Sequence, residues 1–177
     1  MRRKMTGILI IFVLGCFVFL IANLGKPLNS GTTELENKDL NQNAPDFVLP
    51  TLEGKSLRLS DFKDKVIILD FWATHCPPCR QEIPDFIKLY NKYRDKGLAI
   101  IGISLDRGNI EELKRFCRNE RVNYRIAIGN DEVIESYGGI RYIPTTFIID
   151  KDKNIVKKFI GFTSIDVFEQ EIRKLLE

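Results

Sequence analysis

Residues 66–86 read VIILDFWATHCPPCRQEIPDF. The first seven, Val66–Trp72, are an apolar run rich in β-branched side chains, broken only by Asp70. That is the pattern of a strand covered on both faces. From Pro78 the text turns helical: Ile83, Phe86, Ile87 and Tyr90 fall on one stripe, and Gly97 ends it. Pro84, inside the predicted helix, removes one backbone hydrogen bond and predicts a kink. Where strand gives way to helix stand Cys76 and Cys79 with Pro77 and Pro78 between them. Such a pair can clamp a metal, staple a loop, or open and close as a redox couple, and the rest of the chain bears on the choice.

Outward from this junction, strands and helices alternate. Phe47–Leu49 and Ser56–Leu59 flank a turn and predict a short hairpin. LAIIGISL (98–105) reads as a second buried strand, NIEELKRFCRNE (109–120) as a helix and YRIAI (124–128) as a shorter strand. DEVIESYGG (131–139) is a short helix ending in glycine. TTFIID (145–150), a turn over 151–154 and IVKKFIGF (155–162) make a strand, a turn and a strand, and an amphipathic helix capped by Ser164 closes the chain. The class is α/β, with a central mixed sheet between helices.

The 177 residues hold 27 basic and 24 acidic side chains. Arg2, Arg3 and Lys4 account for the whole excess, so no basic field for nucleic acid follows. Those charges precede Gly7–Leu24, eighteen residues without a charge. At about 1.5 Å per residue this run just spans a hydrocarbon core of about 30 Å. The expected organisation is a membrane anchor at 1–24, a flexible tether at 25–44 and one folded domain at 45–177. Positive charge ahead of the run places the domain outside the cytoplasm, at the cell surface or in the periplasm. A cleaved signal peptide and lipid processing at Cys16 are the competing readings.

A thiolate, not a thiol, attacks a disulfide, and a helix start favours the thiolate. Cys76 sits at that start and Cys79 one turn further in, so the first attacks and the second resolves. Pro77 withholds one possible N–H from the Cys76 sulfur, which biases the pair toward reducing others. A zinc or copper site would need more ligands than Cys117 and the adjacent His75 provide. A static bridge across so short a loop would gain little. The residues therefore favour redox chemistry, with neither metal nor cofactor expected.

DFWATHCPPCR, a helix containing Pro84, and RYIPTTFIID some 65 residues after the cysteines together resemble the thioredoxin superfamily. Within it, the chain resembles the membrane-anchored ResA/TlpA-type thiol-disulfide oxidoreductases, which include the cytochrome c maturation thioredoxins, over roughly residues 44–177. The resemblance implies a thioredoxin-like fold with an added N-terminal β-hairpin and a central helix-strand insertion. It makes Cys76 the nucleophile, Cys79 the resolving thiol and Pro144 a cis-proline facing them, with the Ile143 backbone free to pair with substrate. It also brings forward Glu82 as a residue that tunes the thiols and Asp70 as a buried proton carrier. Trp72, His75 and Pro77 join Ile143 and Pro144 at the expected substrate surface. His75 stands where the family commonly has tryptophan, and a solvated side chain is its plainer reading.

The function expected is reduction of protein disulfides. An apocytochrome c is one client, a transmembrane thiol-electron conduit the donor, and the working form a monomer. An oxidase or isomerase uses the same parts. A thiol peroxidase on this fold is a rival, although Ala73 occupies the place where peroxidases carry threonine. A metal carrier or binding module is another.

Overall fold

The computed structural model describes residues 42–177. The predicted anchor and most of the tether lie outside that range. Among the described residues no helix is long and apolar enough to cross a membrane.

In chain order the strands are β1 (Gln42–Asn43), β2 (Val48–Pro50), β3 (Ser56–Arg58), β4 (Val66–Trp72), β5 (Leu98–Ser104), β6 (Arg125–Ile128), β7 (Thr145–Ile149) and β8 (Asn154–Ile160). The helices are α1 (Pro77–Tyr93), α2 (Ile110–Asn119), α3 (Asp131–Ser136) and α4 (Ile165–Leu176). Six strands form one sheet in the order β1-β8-β7-β4-β5-β6. β4, β5 and β6 run parallel, while β7, β8 and β1 are antiparallel to their neighbours. This is the thioredoxin-like fold. β2 and β3 make the predicted hairpin, and α2 with β6 is the predicted insertion, extending the sheet beyond β5.

Alternation along β4 divides the core. Val66, Ile68 and Trp72 face α1, α2 and α4, joining Ile83, Phe86, Leu89, Leu113 and Phe168. Ile67, Leu69 and Phe71 face the hairpin and α3, joining Leu49, Leu57, Val133 and Tyr137. All seven β4 residues are buried, as an apolar run requires. By the same period of two, Asp70 points to the α1 side with Ile68 and Trp72.

Three details differ from the sequence reading. The buried stripe of α1 is Ile83, Phe86, Leu89 and Tyr93, while Ile87 and Tyr90 are only half-buried at its margin. The helix packs on the sheet and on α4, where Phe86 and Phe168 stand 5.2 Å apart, and this turns the stripe by part of a turn. The sheet also begins earlier than expected: Gln42 and Asn43 pair with Ile155 and Asn154 of β8, so the last residues assigned to the tether are its edge strand. At Ser164 the backbone carbonyl accepts from Val167 and Phe168, but the hydroxyl makes no capping bond.

Candidate active site

β4 ends at Trp72, and three residues carry the chain over to Cys76 at the start of α1. Cys76 is the N-cap of that helix, and its sulfur is bonded to that of Cys79. The bridge joins atoms at the positive end of a seventeen-residue helix. Two of the first-turn N–H donors are missing, because Pro77 and Pro78 occupy those positions. The Cys79 N–H, 3.3 Å away, is the donor directed at the Cys76 sulfur. Cys76 is 6% exposed and Cys79 1%, so the expected order of access holds, although even the outer sulfur is recessed.

The Ile143–Pro144 peptide is cis and faces the pair. The Ile143 carbonyl oxygen lies 3.6 Å from the Cys76 sulfur, a contact in the disulfide and an acceptor for the thiol once the bond is reduced. Pro144 is buried, and its carbonyl accepts from Gly161 at 2.8 Å. Thr145 donates its hydroxyl to the Tyr142 carbonyl at 2.6 Å and closes the turn that presents Tyr142 and Ile143. The rim of the site is therefore exposed Pro77 and Tyr142, half-buried Ile143 and exposed His75.

Behind the sulfurs lie two buried carboxyls on the α1 side of the sheet. Asp70 accepts the Thr146 hydroxyl at 3.1 Å, and burial pushes its carboxyl up to about 7. Glu82 is fully buried rather than on the surface. Its Oε1 accepts the Thr163 amide at 2.7 Å, and its Oε2 is enclosed without a hydrogen-bond partner. Burial first, then the neighbouring Asp70 charge, raises it to about 8. Two acids that ionise near neutrality beside a dithiol can exchange protons with it.

Trp72 needs correction. The sequence places it among the substrate-facing residues, but it is buried, its ring 5.7 Å from that of Phe116 and its indole nitrogen over Gly102. It supports the site from below and cannot touch a partner. Cys117 is also buried. Burial first, then the Asp106 charge, pushes its thiol up to about 11, which suits an inert core residue. Among the described residues no group of three or more His, Cys, Asp or Glu side chains could hold a metal ion.

Asp106 is the residue the sequence reading missed. It accepts the Thr74 amide at 3.0 and 3.2 Å, the Thr74 hydroxyl at 2.6 Å and the Ser104 hydroxyl at 2.8 Å. These bonds fix the segment leading into Cys76 to the end of β5. A signal existed: in a parallel sheet, sites gather at the carboxyl ends of strands, and Asp106 follows the buried strand beside β4.

A thioredoxin-like fold with a bridged Cys-x-x-Cys pair at a helix start defines the class: a thiol-disulfide oxidoreductase. The chain belongs to the AhpC/TSA family, whose sequence profile matches residues 40–158. A thiol-disulfide oxidoreductase ResA of Bacillus thuringiensis subsp. konkukian is 37% identical over 144 residues, covering 81% of this chain and 82% of its own. The ResA of Bacillus subtilis strain 168 is 31% identical over 149 residues, covering 83% and 82%. Among solved structures, a thioredoxin-family thiol:disulfide interchange protein of Chlorobium tepidum superposes with a TM-score of 0.71 at 30% identity, covering 77% of this chain and 97% of its own.

Proposed function

We propose that this oxidoreductase reduces disulfides of protein substrates outside the cytoplasm, tethered by the apolar run Gly7–Leu24. The observation that carries the reading is the Cys76–Cys79 bridge at the α1 start, backed by two buried carboxyls. In the reduced protein the Cys76 thiolate attacks a substrate sulfur, forming a mixed disulfide and releasing one substrate thiol. Cys79 then gives up its proton and attacks the Cys76 sulfur. The second substrate thiol leaves, and the internal bridge re-forms with two electrons transferred to the substrate.

Glu82 is the favoured acceptor for the Cys79 proton. It lies three residues on along the same helical face, and its Oε2 has no other hydrogen-bond partner. Its raised basicity comes close to that of a thiol, so the transfer runs without a steep uphill step. Burial first, and then the Asp70 charge, keeps that basicity high.

Two features support the reducing direction. The prolines leave few N–H groups to stabilise the thiolate, and the buried carboxylates oppose negative charge nearby. The likeness to membrane-anchored ResA-type proteins makes an apocytochrome c Cys-x-x-Cys-His pair a fitting client and a transmembrane thiol conduit a fitting donor. The extended chain around the client cysteine would pair with the Ile143 backbone, as an added strand does.

Cys79→Ala tests the mechanism. The variant is expected to accumulate mixed disulfides on Cys76 that dithiothreitol releases, and to lose insulin reduction. Absence of captured substrate together with undiminished insulin reduction would falsify it.

A further inference from the structure

The Cys76 sulfur is closed on most sides. The Cys79 sulfur and N–H stand toward the helix, the Ile143 carbonyl stands 3.6 Å away toward the cis-proline, and Trp72 and Ala73 are buried beneath. The open rim is His75, Pro77 and Tyr142. A disulfide attacked in line must enter across that rim. Its departing sulfur, on the far side of the attacked one, comes to lie among those side chains. An alkyl thiolate departing there carries negative charge and takes up a proton in water. Pro77 has no N–H to offer.

His75 is the chain's single histidine, it directly precedes the nucleophile, and its side chain is 76% exposed. Its Nδ1 lies 3.5 Å from Asp106 Oδ1, while most of the ring stays open to solvent. Asp106 does not follow the ring into solvent, because the Thr74 amide and the Thr74 and Ser104 hydroxyls hold it. A held carboxylate near one ring nitrogen, on a side chain open to solvent beside the nucleophile, is an arrangement suited to moving a proton.

We propose that His75, oriented by Asp106, protonates the sulfur that leaves the substrate when Cys76 attacks. This rests on the reductase reading above and adds a group to it. A Cys76 lone pair forms the new S–S bond, and the substrate S–S bond breaks with its electron pair on the departing sulfur. The Nε2 proton of the imidazolium converts that sulfur to a thiol, and the neutral ring recovers a proton from solvent. Asp106 is a positioning residue, touching His75 and the loop but not the substrate.

The test varies the leaving group. The full-length chain, reduced beforehand, is mixed in single turnover with either of two uncharged disulfides. Bis(2-hydroxyethyl) disulfide releases a basic alkyl thiolate, whereas 4,4′-dithiodipyridine releases a thiopyridone that needs no proton on sulfur. His75→Gln is expected to slow the first by on the order of a hundredfold and to leave the second within about twofold. Equal slowing of both, slowing of the second alone, or slowing of neither overturns the proposal. Asp106→Asn retains an acceptor oxygen without the charge and should lower the same rate ratio; an unchanged ratio overturns its positioning role. If the wild-type chain reduces neither disulfide, the reductase reading itself falls, and the variants are not needed to see it. At so exposed a position His75→Gln should leave the unfolding midpoint unchanged, which separates a chemical effect from a folding one.

Discussion

Asp70 ties the stability of this protein to its chemistry. In the unfolded chain its carboxyl ionises near 3.8, while in the fold burial holds the proton to about 7. Between those values the folded state binds the extra proton, so stability falls as pH rises through that window and is level above it. Asp70→Asn has nearly the same shape, still accepts from Thr146 and cannot ionise. It is expected to exceed the wild type in stability at pH 8 by on the order of 4 kcal/mol, the gap closing toward pH 4. Urea unfolding midpoints at several pH values measure this, and no gain at pH 8 would mean that the buried charge costs nothing. The same substitution removes one cause of the raised Glu82 value, so resolution of the mixed disulfide should reach its plateau at lower pH. Asp70 was legible as a lone acid in an apolar strand. The burial of Glu82 was not, because a stripe read from apolar residues passes over a carboxylate. Asp106 was legible only through its place after β5, since its role depends on that strand ending beside β4.

Helix α1 shows what periodicity can and cannot settle. Its existence, length and inward face were readable, but the centre of the face depends on Phe168 and the sheet, which lie far away in sequence. Pro84 sits within α1, yet the helix runs on through it, because proline removes one bond and the packed face retains the rest. β1 was missed because Gln42 and Asn43 are polar, and an exposed edge strand need not alternate. The Gly102 position in β5 is a sharp requirement at this scale. A Cβ there would stand 2.8 Å from the Trp72 indole nitrogen and 2.8 Å from Ile126 Cδ1, so neither ring nor methyl can stay in place. Gly102→Ala is expected to cost about 1–3 kcal/mol. Since Trp72 is the chain's single tryptophan, the accompanying shift appears directly in its fluorescence. An unperturbed emission spectrum and midpoint would show that the strand yields instead.

Across the whole molecule, redox direction and folding are two sides of one cycle. A pair that donates electrons readily is one whose disulfide the fold favours, so the oxidised protein must be more stable than the reduced one. Each 30 mV of added reducing power corresponds to about 1.4 kcal/mol of that difference. Urea denaturation of both forms tests it, and a reduced form that outlasts the oxidised one would make this protein an oxidant. The topology was largely open to sequence reading, because the alternation of buried runs and amphipathic stretches leaves few ways to order a mixed sheet. The contacts between its two ends were not. One of them is the bond from the Thr163 amide to Glu82, made across 81 positions of sequence. A half-buried backbone proton outside the sulfur pair thus senses the charge on a carboxylate that solvent cannot reach. In an NMR titration, that amide resonance becomes a built-in electrometer for the interior of the enzyme, readable while turnover proceeds.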